Sequence, residues 1–291
     1  MLVQSGKYVI ALGLKPTPQA FIERHSLGRF EFAHASRTLA AHFSLASQMT
    51  MARDQKALEV CATFGVVSCL EFFTHNDLSE ACLTDETERE LGDCQPGLHL
   101  GETMVGAKQN GVVEEQFWPF DGQHICFPSP PNISGRPRFR FSDAWLFWYR
   151  DHASLVKNME HAATSRAVLD TGGDPVPKIK DTMTKFQVPI CAALPVFFSS
   201  GAAHLNAGWD NGPDVHMPTS AMLKTWIDLA APHTTSTGDG MHAIAICGYD
   251  DGAQRFEFKN SWGTWWGNNG FGSISYEYIR TYATEAWAGF G

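Results

Sequence analysis

The sequence is poor in basic residues, has no long apolar run and carries no closely paired cysteines. Lys and Arg number 22 against 31 Asp and Glu, a formal charge of −9. No basic run interrupts that balance, so nucleic acid is excluded as a main partner: a phosphate backbone finds nothing to dock on. The longest strongly apolar stretch, Val188 to Phe198, is broken by Pro189 and Pro195. A spanning helix needs about 20 apolar residues, so no membrane segment is expected. The seven cysteines include no C-x-x-C pair, which removes the usual zinc-ribbon and thioredoxin readings. Their number is odd and their density low for a disulfide framework, so the thiols are expected to be mostly free. The apolar run Tyr8 to Leu14 is preceded by a lone Lys7 and followed closely by no small-x-small site. That pattern is not a secretory signal, and a reducing, cytoplasmic location is expected. Internal repeats and low-complexity tracts are absent as well.

What is present suffices for a packed core. Hydrophobic residues make up 44% of the 291 and charged residues 18%, which suits one large domain or two small ones. Residues 1–36 read as an N-terminal extension: the short apolar run, the turn-forming Lys15-Pro16-Thr17-Pro18, then a mixed helical stretch. Residues 37–291 read as the main domain. Cys61 to Phe73 is apolar nearly all round and predicts a buried helix. Leu98 to Lys108 predicts an amphipathic helix closed by Asn110-Gly111. The prolines from Phe127 to Arg140 forbid regular structure. Ser142 to Leu169, aromatic-rich, reads as mostly helical, and Ile179 to Phe186 as a short helix. Pro189 to Phe198 reads as a buried strand. Gly201 to Gly240 is a long connection containing a helix candidate, Thr219 to Ala230. Beyond it lie strands: His242 to Tyr249, an Asp251-Gly252 turn, Gln254 to Lys259, and Phe271 to Tyr276. Helices first and strands last argue for α+β.

Three segments carry chemistry: Asp54-Gln55 through Cys61-Ala62-Thr63-Phe64, Met241-His242-Ala243, and Lys259-Asn260-Ser261-Trp262-Gly263 with Trp265-Trp266-Gly267. A thiol attacks only as thiolate, and a helix N-terminus or a neighbouring imidazolium favours that form. Cys61 stands where the buried helix begins. A histidine such as His242 could supply the positive charge, with Asn260 accepting from its other nitrogen. Gln55 and the Cys61 N–H could meet a developing oxyanion. Read alone, Cys61 would be a small buried hydrophobe, as Cys69, Cys82, Cys94, Cys126, Cys191 and Cys247 are expected to be. His204, His216 and His233 fall near one another without H-x-x-x-H spacing, so no metal site is expected.

Taken in order, these segments resemble the papain-like cysteine peptidase family. Gln55, Cys61 and Phe64 fit its Gln-x5-Cys spacing and following aromatic. Asn76-Asp77-Leu78-Ser79-Glu80 is similar to its Leu-Ser-Glu segment. Gly111-Val112-Val113 and Phe117-Trp118-Pro119-Phe120 resemble its Gly-Val and Tyr-Pro-Tyr stretches. Met241 to Tyr249 resembles its His-Ala strand, and Lys259 to Gly263 its Lys-Asn-Ser-Trp-Gly signature. The resemblance covers residues about 37 to 280. It implies a two-lobed α+β fold, a helical lobe at about 55–125, a β-barrel-like lobe at about 176–280, and a cleft between them. It also implies a peptidase without a cofactor, acting on a peptide or protein substrate. Its catalytic residues would be Cys61, His242, Asn260 and Gln55, with Gly97, Met241, Ala243 and Trp262 binding substrate. An acyl or peptidyl transferase using the same triad is the alternative, and after it a non-catalytic binding protein. The chain departs from the family at Leu58, where a disulfide cysteine is common, and at Glu59, Val60 and Ala62. Residues 1–36 are too few for the family's folded prosegment, so no proteolytic activation is expected. The connection 201–240 is expected to wall the cleft and set specificity.

Overall fold

A computed structural model describes residues 2–5, 8–25, 39–94, 97–123, 130–165, 173–197, 209–210, 212–230 and 240–291. The chain opens with a hairpin, β1 (Leu2–Ser5) and β2 (Tyr8–Ala11), followed by α1 (Gln19–His25). A short β3 (His42–Ser44) leads to three helices: α2 (Cys61–Thr74), α3 (Glu80–Leu91) and α4 (Leu100–Gln109). Helix α2 is buried on almost every face, as its all-round apolar sequence requires. Helix α3 starts at Ser79, whose hydroxyl accepts from the Cys82 N–H at 2.9 Å, and stops at left-handed Gly92; both are standard helix-end chemistry.

The rest of the described chain alternates. β4 (Asp143–Tyr149) precedes α5 (His152–Ser165) and α6 (Pro175–Phe186). β5 (Ile190–Pro195), β6 (Asp214–Val215) and α7 (Ser220–Ala230) come next. Then follow β7 (Met241–Asp250), β8 (Arg255–Lys259), β9 (Phe271–Ser275), α8 (Tyr276–Tyr282) and β10 (Glu285–Phe290). One eight-stranded sheet runs β4-β10-β5-β7-β8-β9-β6, with β3 on β7. Every pairing in it is antiparallel except β6 with β9. Strand β7 is central and buried from Met241 to Tyr249, and α2 packs across it. That contact brings the Cys61 thiol to the backbone of Ala243, the neighbour of His242 on β7.

Two expectations need correction. Asp143 to Tyr149 is a strand, not the first part of a helix, and only His152–Ser165 is helical. Aromatic residues favour a pleated, half-buried surface, and β10 supplies the partner, with Ala288 opposite Trp145. The expected strand to Tyr276 ends at Ser275, whose hydroxyl accepts from the Tyr278 N–H at 3.1 Å and starts α8. Strand β10 beyond it was not foreseen, although it joins the edge strand β4 to the rest of the sheet. Residues 201–208, 211 and 231–239 of the connection lie outside the described residues, as do His204, His233 and Cys126. No described helix is long and apolar enough to cross a membrane. Cys61, Cys69, Cys82, Cys191 and Cys247 are free thiols, whereas Cys94 is disulfide-bonded, so the expectation of free thiols fails at that position.

Candidate active site

A short ladder joins residues 53–55 to residues 261–263. The Gln55 N–H donates to the Ser261 carbonyl at 2.8 Å, the Gly263 N–H to the Arg53 carbonyl at 2.9 Å, and Asp54 bridges Trp262. Arg53 anchors the near end: its guanidinium pairs with Asp77 at 2.7 Å and also meets Glu115 and Glu80. Lys259 anchors the far end. It is buried, donates to Thr50 Oγ1 at 2.8 Å and lies 3.7 Å from Glu71. Burial shifts both partners toward neutrality, Lys259 downward and Glu71 upward, against their mutual attraction. After Gln55 the chain turns through left-handed Lys56, whose N–H the Asp54 carboxylate accepts at 2.8 Å, and enters α2 at Cys61.

The ladder brings Gln55 and Asn260 onto one side of the cleft. Gln55 Oε1 accepts from Ser261 Oγ at 2.6 Å, and its Nε2 donates to the Leu58 carbonyl at 2.7 Å. Its amide is therefore oriented, and Nε2 carries a second hydrogen. Cys61 is the first helical residue, and its N-cap, Val60, provides no side-chain acceptor. The N–H groups of such a first turn have no intrahelical partner. His242 and Asn260 meet at 2.8 Å, Nε2 to Oδ1. Oδ1 also accepts from the Ser261 N–H at 2.9 Å. That second bond assigns Oδ1 as acceptor and Nε2 as the protonated nitrogen. Nδ1 is then the basic nitrogen, buried without a hydrogen-bond partner. Trp262 packs on the imidazole with ring centres 4.8 Å apart, and Trp209 meets it edge-on at 5.9 Å.

The electrostatics are those of a closed site. Cys61 and His242 are both 0% exposed. Burial pushes the Cys61 thiol up to about 11, opposed by backbone hydrogen bonds with Ala243 and Gly13 and assisted by the Glu59 charge. Burial also lowers His242 to about 4, against the bond with Asn260. Thiol and imidazole are both neutral at pH 7 in this form. The expected depressed thiol pKa is thus reversed here, because desolvation disfavours each charged form.

What excludes water is the chain's own N-terminal segment, which the sequence reading left outside the cleft. Leu12 and Leu14 are 0% and 1% exposed. The Leu14 N–H faces the Met241 carbonyl at 3.4 Å, and the Lys15 N–H donates to the Leu98 carbonyl at 3.0 Å. Lys15 bridges His99 in parallel, and His99 Nδ1 donates to the Pro16 carbonyl at 2.6 Å. Gly13 lies over the nucleophile. A Cβ there would fall 2.2 Å from the Glu59 Cβ, and a Cβ on Gly97 would fall 1.9 Å from the Gly13 carbonyl oxygen. Of the expected substrate contacts, Gly97 and Met241 therefore hold this segment, and Ala243 touches Cys61. Trp262 is 1% exposed and covers His242. Sequence reasoning missed Gly13. The glycine between two leucines was the available signal for close passage of a backbone.

The model of the papain family cysteine protease matches residues 224–287, a stretch that holds His242 and Asn260. No curated protein matches in sequence. Similar solved structures include Xylellain, a cysteine protease from Xylella fastidiosa, at 16% identity and TM-score 0.59, covering 100% of this chain and 97% of that one. Procathepsin B S9 from Trypanosoma congolense aligns at 14% identity and TM-score 0.60, covering 95% and 86%. A Carica candamarcensis cysteine protease aligns at 18% identity and TM-score 0.52, covering 87% and 99%. The chain thus has the fold of these proteases along its length and matches the papain family's sequence model over residues 224–287.

Proposed function

We propose that the chain is a cysteine peptidase held in a latent form by residues Leu12–Thr17. The carrying observation is the His242–Asn260 hydrogen bond on the strand whose next residue, Ala243, meets the Cys61 thiol at the start of a helix. When the segment leaves, water returns and both charged forms become accessible. The Cys61 proton passes to His242 Nδ1, and the imidazolium stays bonded through Nε2–H to Asn260. The thiolate attacks a peptide carbonyl carbon. Charge develops on the carbonyl oxygen, within reach of the Cys61 N–H and Gln55 Nε2. His242 returns its proton to the leaving amine nitrogen as the C–N bond breaks, leaving a thioester on Cys61. A water then gives its proton to His242 and attacks the thioester; the acid departs and the thiol is restored.

The occupied cleft supports latency, since no substrate carbonyl can reach Sγ while Gly13 lies over it. The test uses full-length chain carrying Gly13→Leu, whose side chain cannot fit beside Glu59. Fluorogenic peptide hydrolysis is expected from this variant and not from Gly13→Leu with Cys61→Ala. Hydrolysis that persists without Cys61 would place the chemistry elsewhere. Accumulation of amide product with an added amine would favour acyl transfer.

A further inference from the structure

We infer that Glu59 and Gly97 form a slot over the Cys61 thiol that admits only glycine, so that the substrate is a peptide with glycine beside the bond cut and bulky apolar residues on either side of that glycine. The inference rests on the peptidase reading and names its substrate class. The segment in the cleft shows what the slot takes. Leu12 and Leu14 are 0% and 1% exposed, so large side chains are housed on both sides. Between them Gly13 meets the thiol through its backbone. A Cβ on Gly13 would fall 2.2 Å from Glu59 Cβ, 2.5 Å from its Oε2 and 2.6 Å from its Cδ. The last two atoms can swing aside. Glu59 Cβ cannot, because the backbone fixes it.

That backbone is held on both flanks of Glu59. The Leu58 N–H donates to the Gln55 carbonyl at 3.3 Å, the Leu58 carbonyl accepts from Gln55 Nε2 at 2.7 Å, and the Val60 carbonyl accepts from the Phe64 N–H at 3.3 Å. The opposite wall is Gly97, in the left-handed region at φ 87° that suits glycine. A Cβ on it would fall 1.9 Å from the Gly13 carbonyl oxygen. The chain over the thiol already touches that wall and has no room to step away from Glu59. Every residue but glycine brings a Cβ into this gap, and overpacking of that kind forces the backbone to shift. The restriction comes from the Cβ at position 59, where the chain departs from the family, and not from the carboxylate. Glycine at position 59 would open the slot; alanine would not.

The test uses the full-length chain and two readouts, one of which needs no catalysis. In the first, iodoacetamide labelling of Cys61 at pH 6 reports whether the segment is seated. The unaltered chain should label slowly and Gly13→Ala fast, because the added Cβ expels the segment. Combining Gly13→Ala with Glu59→Ala should leave labelling fast, whereas Gly13→Ala with Glu59→Gly should slow it again by about tenfold or more, the lower size of an overpacking penalty. Fast labelling that Glu59→Gly does not slow overturns the slot. In the second, Leu12→Asp with Leu14→Asp expels the segment without touching the slot, since neither charge can be buried unpaired. Matched peptides with Leu-Gly-Leu or Leu-Ala-Leu centres are compared by kcat/KM, and mass spectrometry maps the bond cut. The Gly peptide is expected to lead by about tenfold to a hundredfold, to keep that lead in Glu59→Ala and to lose it in Glu59→Gly. Equal cleavage of the two peptides, or a lead that survives Glu59→Gly, overturns the inference. Should Glu59→Gly not fold, the two peptides on the chain with Glu59 decide alone. Slow labelling restored by Glu59→Gly without cleavage of any peptide keeps the slot and overturns the peptidase reading.

Discussion

Two short extended pieces of chain line the active centre, and they are held in different ways. Residues 53–55 are laddered to residues 261–263 and locked by buried side chains: Gln55 to Ser261, with Asn260 holding His242 close by. Residues 13–15 are laddered to Met241 and Leu98 through backbone, and their side-chain ties are Lys15 to the half-exposed Asp93 and, two residues later, Thr17 to Glu285. The first piece joins elements that a packed core already fixes. The second is tethered to a hairpin that pairs with nothing else among the described residues. Local opening draws on the least anchored elements, so the second piece can leave while the first stays. The same boundary separates the proposed catalytic groups from the segment proposed to silence them.

The largest effects should follow from breaking the first piece. In chain opened by Gly13→Leu, His242→Ala is expected to lower kcat/KM by about 10²–10⁴-fold, the range of lost acid–base catalysis. Gln55→Ala should cost about 10²–10³-fold, the range for an oxyanion donor. Asn260→Ala should cost about tenfold to a hundredfold, because it orients His242 without moving a proton. Steady-state kinetics on one peptide settle the order, and an Asn260→Ala loss equal to that of His242→Ala would remove the distinction between orienting and transferring.

Loosening the second piece should act more gently. Thr17→Ala deletes the hydroxyl bond to Glu285 and keeps the backbone ladder. Basal hydrolysis by the otherwise unaltered chain is expected to rise by about tenfold, the worth of one bond to a carboxylate, and to remain below that of Gly13→Leu. No rise would show that Thr17 does not hold the segment down. The smallest effect belongs to Glu59, whose charge adds to the rise of the Cys61 thiol behind burial and against two backbone hydrogen bonds. Glu59→Gln in opened chain should increase alkylation of Cys61 by only a few-fold at pH 6, since a charge near water is screened. A change beyond tenfold would make Glu59 the dominant control on the nucleophile.

The catalytic piece was legible in the sequence because its chemistry demands particular residue types at particular spacings. Gln55, Cys61, His242 and Asn260, the catalytic residues proposed above, stand out in the sequence by type and spacing, and α2, β7 and β8 lie where apolar runs placed them. The silencing piece was not legible. A backbone ladder imposes no side-chain pattern, so Leu12-Gly13-Leu14 reads like any apolar run. Its anchor pairs Thr17 with Glu285 across 268 positions, a separation that no local pattern spans. Strand β10 escaped for a related reason: Ala286, Ala288 and Gly289 give little apolar signal, and their place is fixed by β4 and β5 on either side. The aromatic run of β4 is ambiguous between helix and strand until that partner is known.

The most direct measurement of the central claim is the pH profile of iodoacetamide alkylation at Cys61, followed by mass spectrometry, in the unaltered chain and in Gly13→Leu. With the thiol raised to about 11 and the imidazole lowered to about 4, Cys61 holds almost no thiolate near neutral pH. The unaltered chain should therefore label slowly from pH 5 to 8, with rate climbing only as the pH approaches 11. In the opened chain water restores both charged forms, the thiolate is paired with imidazolium, and fast labelling should set in already near pH 6. Equal, fast labelling of both chains at pH 6 would contradict the account, since it would mean that Leu12–Thr17 does not close the site.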